Sequence, residues 1–362
     1  SMRFSCTQVS PNSLVYGTED DLRKGLSSIE TYAKPERVFV ESNCSVSLVG
    51  DDVQGIADQM DLPWPVYAMD SGGMKGSFEA GYSAASLRIE KEMKTKEKIP
   101  ASVNVLGLST VHMKGREDAE EIRRLLSLCG IRVISMPGGG SNWDDIMAAP
   151  SASLNIVVRD ELGLSLAKQM ERDFGTPYMS SGLPYGTDGT MAWLSEIIEK
   201  LGAGELIRAS HEAAKLKEFL LRKGNNLESL WGPLWFDAVL ISAPPSEALG
   251  IAEAIRSEWI DTAHLCIHAQ CETEKSTPAA DAIRVVMKNE KEIAKDYEDW
   301  QGGLVLSSSH ETHLLRRMGR SFTGFHIALP SHDEVHFSDL PQCGLRGAGY
   351  LYEQLWNAKL RK

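Results

Sequence analysis

Short runs of β-branched and aliphatic residues alternate along this chain with longer stretches whose apolar positions recur every three to four residues. The first kind of run reads as a buried strand and the second as an amphipathic helix. The pattern predicts a strand at 37–41, a helix at 53–60 and a strand at 63–68, then a glycine-rich turn at 71–76 and a long helix at 77–94. Asp51 and Asp52 stand just ahead of the first of these helices, where a carboxylate can accept free first-turn N–H groups. The charged stretch 90–98, ended by Pro100, reads either as a linker or as the solvated end of a helix.

A second cycle follows: a strand at 102–108, a helix at 117–129 with Leu125, Leu126 and Leu128 as apolar positions, a stop at Gly130, and a strand at 131–136. A strand at 154–158 and a helix at 165–174 close it. A third cycle opens after a long helix at 209–223, with strands at 236–242, 263–268 and 303–307 and helices at 246–259, 281–296 and 310–318. Strands separated by helices of this length imply βαβ crossovers and parallel sheets. The expectation is an α/β chain of three tandem Rossmann-like domains at 1–99, 100–208 and 209–340, with a C-terminal helix at 341–362 that completes part of the first unit. In open sheets of this kind ligands sit beyond the carboxyl ends of the strands, so the loops after strands are where chemistry is sought.

Composition narrows the function classes. The 362 residues carry 38 Lys+Arg against 50 Asp+Glu, a formal charge of -12 that repels phosphate backbones and disfavours nucleic-acid binding. No apolar run approaches the roughly 20 residues of a membrane-spanning helix. Ser1-Met2 reads as a processing scar with no signal peptide after it, and six scattered cysteines are not a disulfide framework, so a reducing, cytoplasmic setting is expected.

Several loops carry candidate chemistry. Cys44 lies in S-N-C-S after the strand at 37–41, where a thiol faces a crevice or packs as a small buried residue. His264, Cys266, His268 and Cys271 crowd one segment with soft-metal donors, but the first three alternate along a strand, so one strand face explains them equally well. His310 and His313 open a helix, and His332 and His336 are four residues apart. None belongs to H-E-x-x-H, which excludes a zincin reading and leaves them as surface or crevice histidines. Gly138-Gly139-Gly140 is a turn, not a phosphate-binding loop.

The run V-F-V-E-S-N-C-S-V-S-L-V-G-D-D-V, residues 38–53, resembles the nitrogenase component 1 superfamily. That superfamily includes the nitrogenase catalytic subunits, their cofactor-assembly scaffold, dark-operative protochlorophyllide reductase and nickel-sirohydrochlorin reductive cyclase. The likeness continues upstream in L-V-Y-G-T-E-D-D-L from Leu14, and downstream in P-V-Y-A-M-D-S-G-G-M-K-G-S-F-E-A-G-Y at 65–82. L-N-I-V at 154–157, G-T-P at 175–177, P-Y-G at 184–186, S-S-S-H-E-T at 307–312 and G-A-G-Y at 347–350 extend it over nearly the whole chain.

The resemblance implies three Rossmann-like domains. It places Cys44 where the family ligates an iron–sulfur cluster at a subunit interface, with Gly72, Gly73 and Gly76 as close-approach loop positions. The sequence begins past the segment in which the family carries two further cysteines, and Cys6 matches no family ligand. Since a four-iron cluster wants about four thiolates, the implication is ligands shared between subunits, a shortened chain or a lost cluster. Arg159 stands where the family's catalytic subunit has its cofactor cysteine, and His326 where it has its histidine. A guanidinium cannot ligate iron, so no iron–molybdenum cofactor is expected. Arg159 would suit an anionic ligand in a crevice or, equally, cap a helix or pair internally.

The implied function is that of a reductase subunit, paired with a homologous subunit in a homo- or heterodimer. It would take electrons from an ATP-dependent iron–sulfur reductase and relay them to a bound substrate or metallocofactor other than dinitrogen. The alternative is a non-catalytic scaffold or carrier for a metallocofactor or tetrapyrrole.

Overall fold

The computed structural model describes residues 4–69, 72–285, 294–295, 297–298 and 300–361. Its chain divides into two compact units, residues 1–91 and 92–362, with the boundary inside the charged stretch read from sequence. The fold is α/β, and among the described residues every strand pairing is parallel.

The first unit carries helices α1 (Pro11–Tyr16) and α2 (Glu19–Tyr32), strand β1 (Val38–Glu41), helices α3 (Cys44–Val49) and α4 (Val53–Asp58), strand β2 (Val66–Met69) and helix α5 (Phe78–Glu90). β1 and β2 pair in register from Val38 opposite Val66 to Glu41 opposite Met69. A small core of Leu22, Leu26, Ile56, Ala57, Trp64 and Val66 holds the sheet to α2 and α4. Two caps fix the loop after β1: Asn43 Oδ1 accepts the Val46 N–H at 2.9 Å, and Asp52 Oδ1 accepts the Gly55 N–H at 2.9 Å. Each such cap contributes about 1 kcal/mol. Asp51, expected to cap alongside Asp52, instead accepts the Thr18 N–H and hydroxyl at 2.5 and 2.7 Å, tying this loop to the start of α2.

The second unit contains two sheets. One has β3 (Ile99–Leu106), β4 (Arg132–Ser135), β5 (Ala152–Val157) and β6 (Tyr178–Ser180) in the order β4-β3-β5-β6. Helices α6 (Gly115–Leu128), α7 (Trp143–Ala148), α8 (Asp160–Phe174) and α9 (Thr187–Leu201) connect and cover it. After the long helix α10 (Ile207–Trp231), the other sheet is formed by β7 (Trp235–Ala243), β8 (Asp261–Ala269), β9 (Ala282–Val285), β10 (Leu304–Ser307) and β11 (Thr323–His326), in the order β11-β10-β7-β8-β9. Its helices are α11 (Pro245–Ala254), prolonged by a π-helical turn at Ile255–Trp259, α12 (Ser309–Arg317) and α13 (Gly344–Leu360). One continuous apolar core joins the two sheets, running from Val103 and Ile156 through Val239 and Ile267 to Leu351 and Trp356. α13 packs on α6, α9, α10 and β11.

The helix expected at 281–296 is corrected at its start: Ala282–Val285 is an edge strand paired with β8, and most of the remainder lies outside the described residues. Both sheets reverse their strand order beside a central strand, β3 in the first and β7 in the second. Such reversals open a crevice at the strands' carboxyl ends.

Candidate functional site

Cys44 begins α3, three residues beyond the end of β1, and its thiol is exposed rather than packed. The glycine-rich loop after β2 lies against it. A Cβ at Gly73 would stand 3.5 Å from Cys44 Sγ, and one at Gly72 would press into the side chain of Ser47, 2.8 Å from its Cβ. Gly72 is buried and Gly73 exposed, so only the first is forced to be glycine by close approach. Gly76 sits apart from the thiol, at the start of α5, where a Cβ would meet Ala80. The structure therefore brings Cys44, Gly72 and Gly73 together and leaves Gly76 out.

Arg159 lies at the strand-order reversal of the first sheet of the second unit, two residues past β5 and against the backbone of Gly107, which follows β3. Gly107 has a φ of +91°, and a Cβ there would meet the Arg159 backbone nitrogen at 2.9 Å. The Arg159 side chain is 0 % exposed. Its Nε donates to Glu247 Oε1 at 2.9 Å and Nη2 to the same oxygen at 2.5 Å, while Asp118 Oδ2 is 4.0 Å away. Burial works against the guanidinium's charge, but Glu247 and Asp118 outweigh it and hold its pKa above the usual range. Burial in turn raises Asp118 to about 6, against the pull of Arg159 and of the Cys343 and Gln342 N–H groups that donate to it at 3.0 and 2.7 Å. Arg159 thus does not open into a crevice as an anion site would, nor does it pair with Asp160, which binds Lys275 at 2.7 Å. It is an internal counter-charge.

A cleft of about 570 Å³ lies beside this cluster, between the loop after β6 and the start of α11. Ser181, Tyr185, Trp193, Ser246 and Lys275 are among its walls. Two polar atoms near it have no hydrogen-bond partner, Tyr185 Oη and Glu161 Oε1, although Glu161 Oε2 accepts the Ser246 hydroxyl at 2.6 Å.

His326 ends β11 and is 2 % exposed. Nδ1 is 2.7 Å from Ser331 Oγ, and Nε2 lies 3.3 Å from Thr312 Oγ1 and 3.4 Å from Asp333 Oδ1. The same serine oxygen is 3.1 Å from His336 Nε2. Burial, with help from the positive charge of Lys114 and against Glu334, keeps the His336 pKa below its ordinary value. Sequence reasoning singled out His326 but did not join it to Glu334 and His336. The only signal was their closeness in one loop, since the His-x7-Glu-x-His spacing matches no familiar motif.

The crowded segment of β8 divides by burial: His264 is exposed, Cys266 half-buried and His268 buried against Tyr297, with ring centroids 5.4 Å apart. Among the described residues no three metal-capable side chains converge there, and none of the groups that do converge contains a cysteine. Nor is any helix among the described residues long and apolar enough to cross a membrane.

The fold is one of parallel α/β sheets, and the sequence comparison gives its family. Residues 1–360 match the family described as nitrogenase component 1 type oxidoreductase, and the chain belongs to that family. Among its relatives, the nitrogenase iron-molybdenum cofactor biosynthesis protein NifE of Clostridium pasteurianum is 30% identical over 228 residues, covering 62% of this chain and 47% of that protein. A subunit of the light-independent protochlorophyllide reductase of Chloroherpeton thalassium is 23% identical over 373 residues, covering 98% of this chain and 69% of that protein. The solved structure titled nitrogenase Cp1 at pH 6.5 superposes with a TM-score of 0.73 at 16% identity, over 98% of this chain and 81% of that one. The likeness to the solved structure shows the fold. The Clostridium match spans less than half of that protein's length.

Proposed function

We propose that the chain acts as a subunit of a nitrogenase component 1-like reductase. It would accept electrons from an ATP-dependent iron–sulfur reductase and pass them to a bound substrate or metallocofactor other than dinitrogen. The observation that carries this reading is the exposed Cys44 thiol just past β1, backed by Gly73, at the position where the resemblance puts a family cluster ligand. A packing cysteine would be buried.

The chain by itself does not fit a four-iron cluster. Such a cluster wants about four thiolate ligands, and no described group of converging donors contains a cysteine. Cys44 would supply one ligand, the rest coming from a homologous subunit, and no electron step is assigned within this chain. The reading leaves out dinitrogen because the resemblance puts Arg159 at the family's cofactor-cysteine position, and this guanidinium is committed to Glu247. The 30% identity to a cofactor biosynthesis protein favours a second reading, a scaffold or carrier that binds a metallocofactor or tetrapyrrole without reducing it.

Anaerobic purification of the chain together with its homologous partner subunit tests the first reading. A brown protein with iron and sulfide in equal amounts is expected, and Cys44→Ala should lose the colour. A colourless, iron-free protein under the same handling, or a spectrum that survives Cys44→Ala, overturns the ligand assignment.

A further inference from the structure

The loop after β11 holds a donor set that neither reading above uses. His326, Glu334 and His336 each bring one ligand-capable atom to within 4.8 Å of the others. Glu334 Oε2 lies 3.9 Å from His326 Nδ1 and 3.8 Å from His336 Nε2. Two features hold the set in place. His326 is fixed by burial, and Glu334 Oε2 accepts the His326 backbone N–H at 3.0 Å.

The partners of His326 assign its tautomer. Asp333 and Thr312 both face Nε2. Asp333 accepts only, and the Thr312 hydroxyl donates to the Ser309 carbonyl at 3.2 Å, leaving its oxygen to accept. These neighbours favour the tautomer with its proton on Nε2, which leaves Nδ1 facing Ser331 and Glu334. A carboxylate beside one imidazole nitrogen orients the ring so that the other can face an ion, and here that other nitrogen, Nδ1, is in contact with Ser331 Oγ, which an ion would displace or take as ligand. Ser331 Oγ lies between the two rings, 2.7 Å from His326 Nδ1 and 3.1 Å from His336 Nε2, where an ion's fourth ligand would stand.

Size and charge agree. Metal–nitrogen and metal–oxygen bonds of about 2.0–2.2 Å set neighbouring ligand atoms about 3–3.5 Å apart. The separations to Glu334, 3.9 and 3.8 Å, need to close by about half an ångström and the widest separation in the set, up to 4.8 Å, by more than about an ångström, a contraction the loop after β11 would make around the ion. Arg316 takes up Asp333 at 2.5 Å, and Lys114, the nearest cation to His336, is bound to the Ser338 carbonyl with Glu117 at 3.9 Å. Among the described residues the Glu334 carboxylate pairs with no Lys or Arg and faces two imidazoles.

We propose that His326 Nδ1, Glu334 and His336 Nε2 bind one divalent first-row transition ion of the class of Zn2+ and Co2+, with the Ser331 hydroxyl or a water as fourth ligand. Two imidazoles and one carboxylate suit such borderline ions and not Mg2+ or Ca2+, which take oxygen donors. The site is built wholly from the second unit and is independent of Cys44.

The test is cobalt titration of the chelator-treated, dialysed full chain, followed by visible ligand-field absorbance and equilibrium dialysis. One Co2+ per chain is expected, displaced by Zn2+ and not by excess Mg2+. Glu334→Gln and His336→Ala should each weaken binding by more than about tenfold, and Cys44→Ala should leave it unchanged. His336→Asn, checked for an unchanged circular dichroism spectrum, replaces His336→Ala should the latter fail to fold. Absence of stoichiometric binding, or wild-type affinity in the Glu334 and His336 variants, overturns the site. Loss of binding in Cys44→Ala overturns its independence from the cluster loop.

Discussion

Arg159 and Cys44 occupy equivalent stations, each just past the carboxyl end of a parallel strand, and the fold treats them in opposite ways. Arg159 is sealed: it has no exposed surface, a carboxylate on its guanidinium and a second at 4.0 Å. Cys44 is open, with its thiol exposed and a glycine where a side chain could have covered it. Strand-end position alone therefore does not make a site. What separates the two is whether the rest of the unit supplies partners that consume the group's bonding capacity. The crevice at the reversal beside β3 is filled by the chain's own ion pair, whereas the loop after β1 keeps a reactive atom unspent.

The largest effect that would break this contrast comes from Arg159→Met. Removing one partner of a buried pair strands the other charge and costs about 3–5 kcal/mol. Glu247 and Asp118 would both lose their counter-ion, and an unfolding free energy from denaturant titration lowered by that amount is expected. A loss under about 1 kcal/mol, the size of an ordinary substitution, would mean that the cluster is hydrated and not sealed.

A smaller effect on the same side of the comparison is pH-dependent. Asp118 has a folded pKa of about 6, above the usual carboxylate value of about 3.9, chiefly because it is buried. A raised acid favours the protonated folded state, so its contribution is full below about pH 4 and is lost as pH rises through about 6. Asp118→Asn keeps an oxygen for the Gln342 and Cys343 N–H groups but does not titrate. Its stability relative to the parent chain should rise on the order of 2 kcal/mol between about pH 4 and pH 7. Urea unfolding at the two pH values reads this directly, and a pH-independent difference would remove Asp118 from the sealed cluster.

How far this contrast could be read in advance differs between fold and site. The apolar runs that became β3, β5 and β7 are long and wholly buried at their carboxyl ends, so hydrophobic pattern alone locates them. β6 and β11 were not legible, because they have three and four residues and β11 carries a glycine that lets it approach the β10 backbone. α9 went unread although Trp193, Leu194 and Ile197 recur at helical spacing and are buried. Its first turn is T-D-G-T, poor helix formers that obscure the start. At the sites, residue type left Cys44 open between a crevice and a packing position, because the loop that reaches it, with Gly73, follows β2 and not β1. Residue type left Arg159 open between a crevice anion site and internal pairing, because its partner Glu247 is 88 residues away and only tertiary packing delivers it. The His326 cluster had one member flagged and two nearby members not joined to it.

The smallest expected effect belongs to the open side. Cys44→Ala should change unfolding free energy by no more than about 0.5 kcal/mol, as surface substitutions do. The cap of α3 is Asn43, whose bond to the Val46 N–H does not involve the thiol. Alanine is also a good helix former, so α3 keeps its local stability. The same exposure sets the order of modification by a bulky maleimide in the native protein. Cys6 and Cys44 should label rapidly, and Cys129, Cys271 and Cys343, which are buried, only on unfolding. Mass spectrometry of the labelled peptides distinguishes them. If Cys44→Ala instead lowers stability by more than about 1 kcal/mol, or the thiol resists labelling, the group is packed. Cys44 and Arg159 would then differ in chemistry but not in openness, and the ligand role would lose its structural basis.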